Sequence, residues 1–236
     1  MQKYKHTFFD LDNTLWNFSE SSHYAMKKVY EQYKLDEHFE SFDDFYRKYK
    51  EYNDILWSQY RRGEIDKQTL SISRFLNLKD KNGKLFLSVK EAGKISISYL
   101  AYMTEKPFVE ENAVKTLIYL KNKGYGIHII SDGFFEVQMV KLKISKMMDY
   151  ISTITISEEI GKLKPSPEIF DFALKKAKAE KDESIFIGDD YKNDILGAKN
   201  YGIDQILYNR KGYTEEELTE KPTFIVNNLM EITEIL

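Results

Sequence analysis

FFDLDNTL, residues 8 to 15, sets two carboxylates, Asp10 and Asp12, at the end of a run that reads as a buried strand, Lys5 to Asp10. If strand geometry persists past that run, side chains two apart point the same way, so the pair shares one pocket. Holding two like charges that close is costly unless a cation or a proton intervenes. That cost is the reason to read the pair chemically. The competing reading is a solvated turn in which Asp12 and Asn13 are ordinary turn formers.

Three later segments have the same character. In IISDG (129 to 133) a hydroxyl and a glycine follow a strand and precede a helical pattern, so Ser131 and free backbone N–H groups are available to a phosphate. A serine cap after a strand is the plainer alternative. In KLKPSPEIF (162 to 170) Lys164 precedes proline, which favours extended backbone, and its ammonium can reach inward as a point charge; alone it could equally be a solvated lysine. In IGDDYKNDILGA (187 to 198) Asp189 and Asp190 follow a strand and Asp194 falls near the next helix start. Carboxylates at a strand end are the oxygen ligands magnesium prefers. Helix-dipole complementarity explains one or two of these aspartates, hardly all three.

From residue 110 onward apolar runs alternate with amphipathic stretches. Gly126 to Ser131, Ile151 to Ile156, Ser184 to Gly188 and Ile203 to Tyr208 read as strands, and Val114, Leu117, Ile118 and Lys121 as one helix stripe ending at Gly124. Pro167 opens another helix. This alternation implies parallel strands with right-handed crossovers, an α/β doubly wound sheet. Residues 17 to 105 differ: aromatics at helical spacing and no convincing strand. Ser41 caps a stripe of Phe42, Phe45, Tyr46, Tyr49 and Tyr52, and Asp66 starts a second helix. The expected layout is a core of 1–16 with 106–236 and an all-helical insertion of about four helices at 17–105, set where open parallel sheets bind ligands and so acting as a cap.

Composition bounds the chemistry. The chain has 236 residues, a net charge of −3, no cysteine and four histidines. Nothing marks a site for a nucleic-acid polymer. Disulfides, zinc thiolates and cysteine nucleophiles are excluded, which leaves carboxylates for a hard cation. No apolar run approaches a membrane span, and Asp10 and Asp12 break the first one, so no membrane partner and a cytoplasmic location are expected.

Together the four segments resemble the motifs of the haloacid dehalogenase superfamily, in the same chain order, and the insertion resembles its C1 type of cap, on a Rossmann-like core. Leu56, Trp57, Tyr60 and Gly63, with ISEEIGKLKPSPEIFDFAL (156 to 174), resemble bacterial pyrimidine 5'-nucleotidases acting on abnormal nucleotides. The resemblance implies a magnesium-dependent phosphomonoester hydrolase acting on a small molecule, a nucleoside monophosphate. It implies Asp10 as nucleophile forming an aspartyl-phosphate and Asp12 as acid and base. It implies Ser131 and Lys164 on the phosphoryl oxygens. Magnesium would be held by Asp10, the Asp12 carbonyl and Asp189, with Asp194 in support. One departure is Asp132, where the second motif commonly carries Asn: either it points away from phosphate or it pairs with a cation.

Other readings stay open. A sugar-phosphate phosphatase or a phosphomutase would use the same core. A 2-haloacid dehalogenase would share the aspartate nucleophile without needing magnesium or an acid/base at Asp12, so Asp12 and Asp189 count against it. A phosphate-binding module without turnover is the non-enzyme alternative. Trp57, Tyr60, Phe18 and Trp16 are candidates to stack on a base, although such aromatics mostly pack their own helices; Arg61 and Arg62 read as solvated. Oligomeric state is not expressed in the sequence.

Overall fold

Six strands, β1 (His6–Phe9), β2 (Gly126–Ser131), β3 (Thr153–Ile156), β4 (Ser184–Gly188), β5 (Asp204–Tyr208) and β6 (Phe224–Val226), form one parallel sheet in the order β3-β2-β1-β4-β5-β6. The computed structural model describes residues 3–236. Helices are α1 (Phe18–Gln32), α2 (Phe42–Arg61), α3 (Lys67–Leu76), α4 (Val89–Met103), α5 (Ala113–Asn122), α6 (Phe135–Ile144), α7 (Pro167–Ala177), α8 (Leu196–Tyr201) and α9 (Ile232–Ile235). The doubly wound α/β architecture expected from the alternating pattern is the one observed.

The chain leaves β1, builds outward through β2 to β3, then returns to the other side of β1 as β4. That reversal opens a crevice at the carboxyl ends of β1 and β4, where such sheets bind ligands. Register fixes what lines it: Phe9 pairs with both Ile129 and Ile187, so Asp10 lies one residue past this row and Ser131 and Asp189 two. Burial on both faces explains the near-continuous apolar runs. Phe8, Ile130 and Phe186 pack on Ile169, Phe170 and Leu174 of α7, forming the core beneath the site.

Two compact units result: one is the chain up to Phe18 with Pro107–Leu236, the other Ser19–Lys106. In the second, Ser41 accepts from the Asp44 N–H at 3.1 Å, Asp66 from Thr69 at 2.7 Å, and Ser88 forms a reciprocal cap with Glu91. Its aromatics are largely its own core: Tyr49 stacks on Phe75 and meets Tyr99 edge-on. No helix among the described residues is long and apolar enough to cross a membrane.

Several sequence readings shift. The buried face of α5 is Ala113, Thr116, Leu117 and Leu120, with Ile118 exposed, so the stripe is rotated from the expected one. The strand read from Ile151 begins at Thr153 because Met147–Tyr150 form a 3-10 turn that Ile151 closes. β6, three residues at a sheet edge, is too short to leave a pattern. Trp16 is fully buried, edge-on to Phe108, and offers no face to a base.

Candidate active site

The loop after β1 is tied by the Leu11 carbonyl, which accepts from the N–H groups of Thr14, Leu15 and Trp16. Asn13 takes the left-handed conformation (φ 65°), which Asn tolerates better than most residues. This tight turn holds Asp10 at the strand end and Asp12 just beyond it.

Asp10 is buried, and Lys164 Nζ donates to its Oδ1 at 2.5 Å and to Asp194 Oδ1 at 2.7 Å. Burial opposes the lysine's charge, but Asp10, Asp194 and Asp132 outweigh it and hold Lys164 firmly protonated. Burial pushes the Asp10 carboxyl well above the usual carboxylate range; Lys164 counters this, and Asp194 and Asp189 add to it. The two shifts differ in origin: Lys164 is held charged by the carboxylates around it, whereas Asp10 is raised first by burial and then by its acidic neighbours.

Asp189 shows the deficit of positive charge most clearly. Burial, and then Asp194, raise its carboxyl to about 6. Its Oδ2 makes no hydrogen bond, although Lys211 Nζ, on a partly exposed side chain, lies 3.2 Å away. Oxygens of Asp10, Asp189 and Asp194 all lie within 4.8 Å of one another. Buried, oxygen-only, under-compensated and clustered, this donor set fits a hard divalent cation such as magnesium.

Asp194 owes its place to a π-helical turn, Tyr191–Ile195, and to Gly188: a Cβ there would lie 2.3 Å from Asp194 Oδ2. Asp190 instead caps this turn, accepting from Lys192 and Asn193 N–H groups. The helix-start reading therefore accounts for Asp190 and not for Asp189 or Asp194. Asp132 Oδ1 accepts the Lys164 backbone N–H at 3.0 Å, and its charge also favours the Lys164 ammonium. A carboxylate at that position thus ties down the lysine segment.

Asp12 is engaged through both oxygens. Lys141 Nζ donates to Oδ1, and Gln138 Nε2 donates to Oδ2 at 2.9 Å. Gln138 also donates to Ser131 Oγ at 2.6 Å, and the Gly133 N–H does so at 3.2 Å. The hydroxyl of Ser131 accepts in both contacts, which leaves its proton for a further acceptor.

Asp10, Lys164, Asp189 and Asp194 are thus one contiguous cluster, and Asp12 and Ser131 are joined through Gln138. Sequence reasoning missed Gln138, Lys141 and Lys211. The first two are buried polar residues one turn apart on α6, while Phe135 and Val140 of the same helix are exposed, an inversion that the bare pattern hides.

Known proteins resemble this chain along most of its length. A family model described as haloacid dehalogenase-like hydrolase matches residues 7–208. Pyrimidine 5'-nucleotidase YjjG of Escherichia coli (strain K12) is 31% identical over 235 residues, 99% of this chain and 98% of that protein. Glyceraldehyde 3-phosphate phosphatase of Pyrococcus furiosus is 31% identical over 240 residues, 100% of this chain and 94% of that protein. The crystal structure of the putative HAD-hydrolase YfnB from Bacillus subtilis, bound to magnesium, superposes with a TM-score of 0.86 at 22% identity, covering 99% of each chain. At that identity the likeness carries the fold alone.

Proposed function

We infer, from the premise that this chain belongs to the haloacid dehalogenase-like hydrolase family, that it is a magnesium-dependent phosphomonoester hydrolase working through an aspartyl-phosphate on Asp10. The observation that carries this reading is the division of labour between the two aspartates. Asp10 is buried against Lys164, whereas Asp12 is only partly buried and is held by a separate lysine and amide.

Asp10, Asp189 and Asp194 would hold the ion with the Asp12 carbonyl, and the ion would supply positive charge to the phosphoryl oxygens. Lys164 places its own charge beside Asp10, where an incoming phosphoryl group would sit, and the Ser131 hydroxyl has a proton to donate to it. Asp10 attacks phosphorus as the ester bond breaks, and Asp12 gives a proton to the leaving oxygen. Water then attacks the same phosphorus, Asp12 takes its proton, and the Asp10–phosphorus linkage breaks. Positioning and electrostatics supply most of the rate in such a transfer.

For substrate we favour pyrimidine nucleoside 5'-monophosphates met in the cytoplasm. Support comes from the YjjG likeness over nearly the full chain and from the segment around Trp57 and Tyr60, whose rings meet edge-on in the helical unit we read as the cap. A sugar-phosphate phosphatase is the second reading, supported by the equal identity to the Pyrococcus furiosus enzyme. Phosphate release from a panel of nucleotides and sugar phosphates, by wild type and Asp10→Asn, tests both. Preference for a sugar phosphate by orders of magnitude would sink the nucleotidase reading, and no release from any ester would sink the hydrolase reading.

A further inference from the structure

Lys141 is buried to 1% exposure on α6, outside the four segments that carry the motifs. Stripping an ammonium of water costs several kcal/mol unless a partner and good geometry offset it. Its ion-pair partner is Asp12, and the rings of Trp16 and Phe18 lie 5.8 and 5.4 Å from Nζ. Gln138, fully buried three residues earlier, stands on the same helix face. Its amide spends one proton on Asp12 and the other on Ser131.

Room for this arrangement comes from Gly133, where a Cβ would lie 2.1 Å from Gln138 Nε2. Its φ is not in the left-handed region, so the glycine is needed for space and not for backbone conformation. An apolar pair at 138 and 141 would pack α6 without any desolvation cost. Instead two polar head groups converge on the two oxygens of one carboxylate.

We propose that Lys141 and Gln138 are positioning residues for Asp12, locking its carboxyl group in the orientation needed to pass a proton to the leaving oxygen and to take one from water. The proposal rests on the hydrolase reading above. A carboxylate offers about four lone-pair sites, so two bound donors leave sites for the transferring proton. In the first step the Asp10–phosphorus bond forms, the ester bond breaks and the Asp12 proton moves to the ester oxygen. In the second, water's oxygen bonds to phosphorus, its proton goes to Asp12, and the Asp10–phosphorus bond breaks to give inorganic phosphate. The link through Gln138 to Ser131 ties the proton-transfer group to the phosphate-binding side of the pocket.

Para-nitrophenyl phosphate separates the two steps, because its leaving group needs little help from an acid. With Lys141→Met and magnesium, we expect a burst of one equivalent of nitrophenolate, then steady turnover about 10²-fold below wild type, the scale of a lost acid–base contribution. Inhibition by inorganic phosphate should stay within about twofold of wild type, since binding is not the function lost. Lys141→Arg should recover most of the rate, and Gln138→Leu should show the same burst, carrying the test if Lys141→Met does not fold. In an Asp12→Asn background Lys141→Met should cost nothing further, the non-additivity of residues acting through one another. Turnover by folded Lys141→Met within about threefold of wild type, or costs that multiply in the double variant, would overturn the proposal. A wild type that releases no nitrophenolate removes the hydrolase reading and the proposal with it, an outcome distinct from an active wild type indifferent to Lys141.

Discussion

Lys164 Nζ and Asp10 Oδ1 lie 2.5 Å apart with both side chains buried, and this contact organises the carboxylate cluster at the head of the sheet. Lys164 is shared with Asp194 at 2.7 Å, so its removal strands two buried acids at once. Lys164→Met is expected to destabilise the magnesium-free protein by roughly 3–5 kcal/mol, the range for breaking a buried pair from one side. Urea unfolding in EDTA measures this, and a midpoint equal to wild type would show that the contact contributes nothing net.

Magnesium and pH should act together. The Asp189 carboxyl, raised from 3.8 to about 6 by burial, binds its proton more tightly in the native state than in the unfolded chain. In metal-free protein its contribution is therefore retained at low pH and lost as pH rises from about 4 to about 6, a cost on the order of 3 kcal/mol. A bound cation needs the ionised form and offsets that cost. Thermal melts with and without magnesium should show a larger upward shift at pH 7.5 than at pH 5. A shift independent of pH would remove Asp189 from the set of ligands.

At the opposite end of the sheet the sign is reversed. His128, with Nε2 3.0 Å from His6 Nδ1 and its ring stacked on Phe8, is lowered to about 4 by burial and then by His6. Its native pKa is depressed, so the stability it permits is intact above 6.5 and is lost as pH falls from 6.5 to about 4, by on the order of 3 kcal/mol. Comparing urea midpoints at pH 7.5 and 4.5, His128→Leu should lose less on acidification than wild type. Equal losses would contradict this.

Gly188→Ala is a steric test of the metal cluster. The added Cβ would lie 2.3 Å from Asp194 Oδ2, so the carboxylate must move. Magnesium affinity by calorimetry should fall by at least about tenfold, in the range seen when a site's supporting geometry is disturbed. An unchanged affinity would show that Asp194 is not needed there.

Much of this site is legible in the sequence because strand ends are local features. Asp10, Ser131 and Asp189 each sit one or two residues past a register row that apolar runs announce. Lys164 was found through its flanking proline and Asp194 through its place near the next helix start, yet their meeting depends on tertiary placement. Gln138 and Lys141 were not legible, since which face of α6 turns inward is set by packing on the sheet and not by helix period. Asp132 carried an ambiguous signal, and its 3.0 Å contact with the Lys164 N–H could not be read from sequence because it joins segments 32 residues apart.

The central claim is that Asp10 carries the phosphoryl group. Acid-quenching wild type during turnover of a phosphomonoester with magnesium, followed by mass analysis of its peptides, tests it directly. A phosphoryl group on the peptide containing Asp10, accumulating in Lys141→Met and absent from Asp10→Asn, is the expected result. Phosphate released at full rate by Asp10→Asn, with no peptide labelled in wild type, would contradict the account.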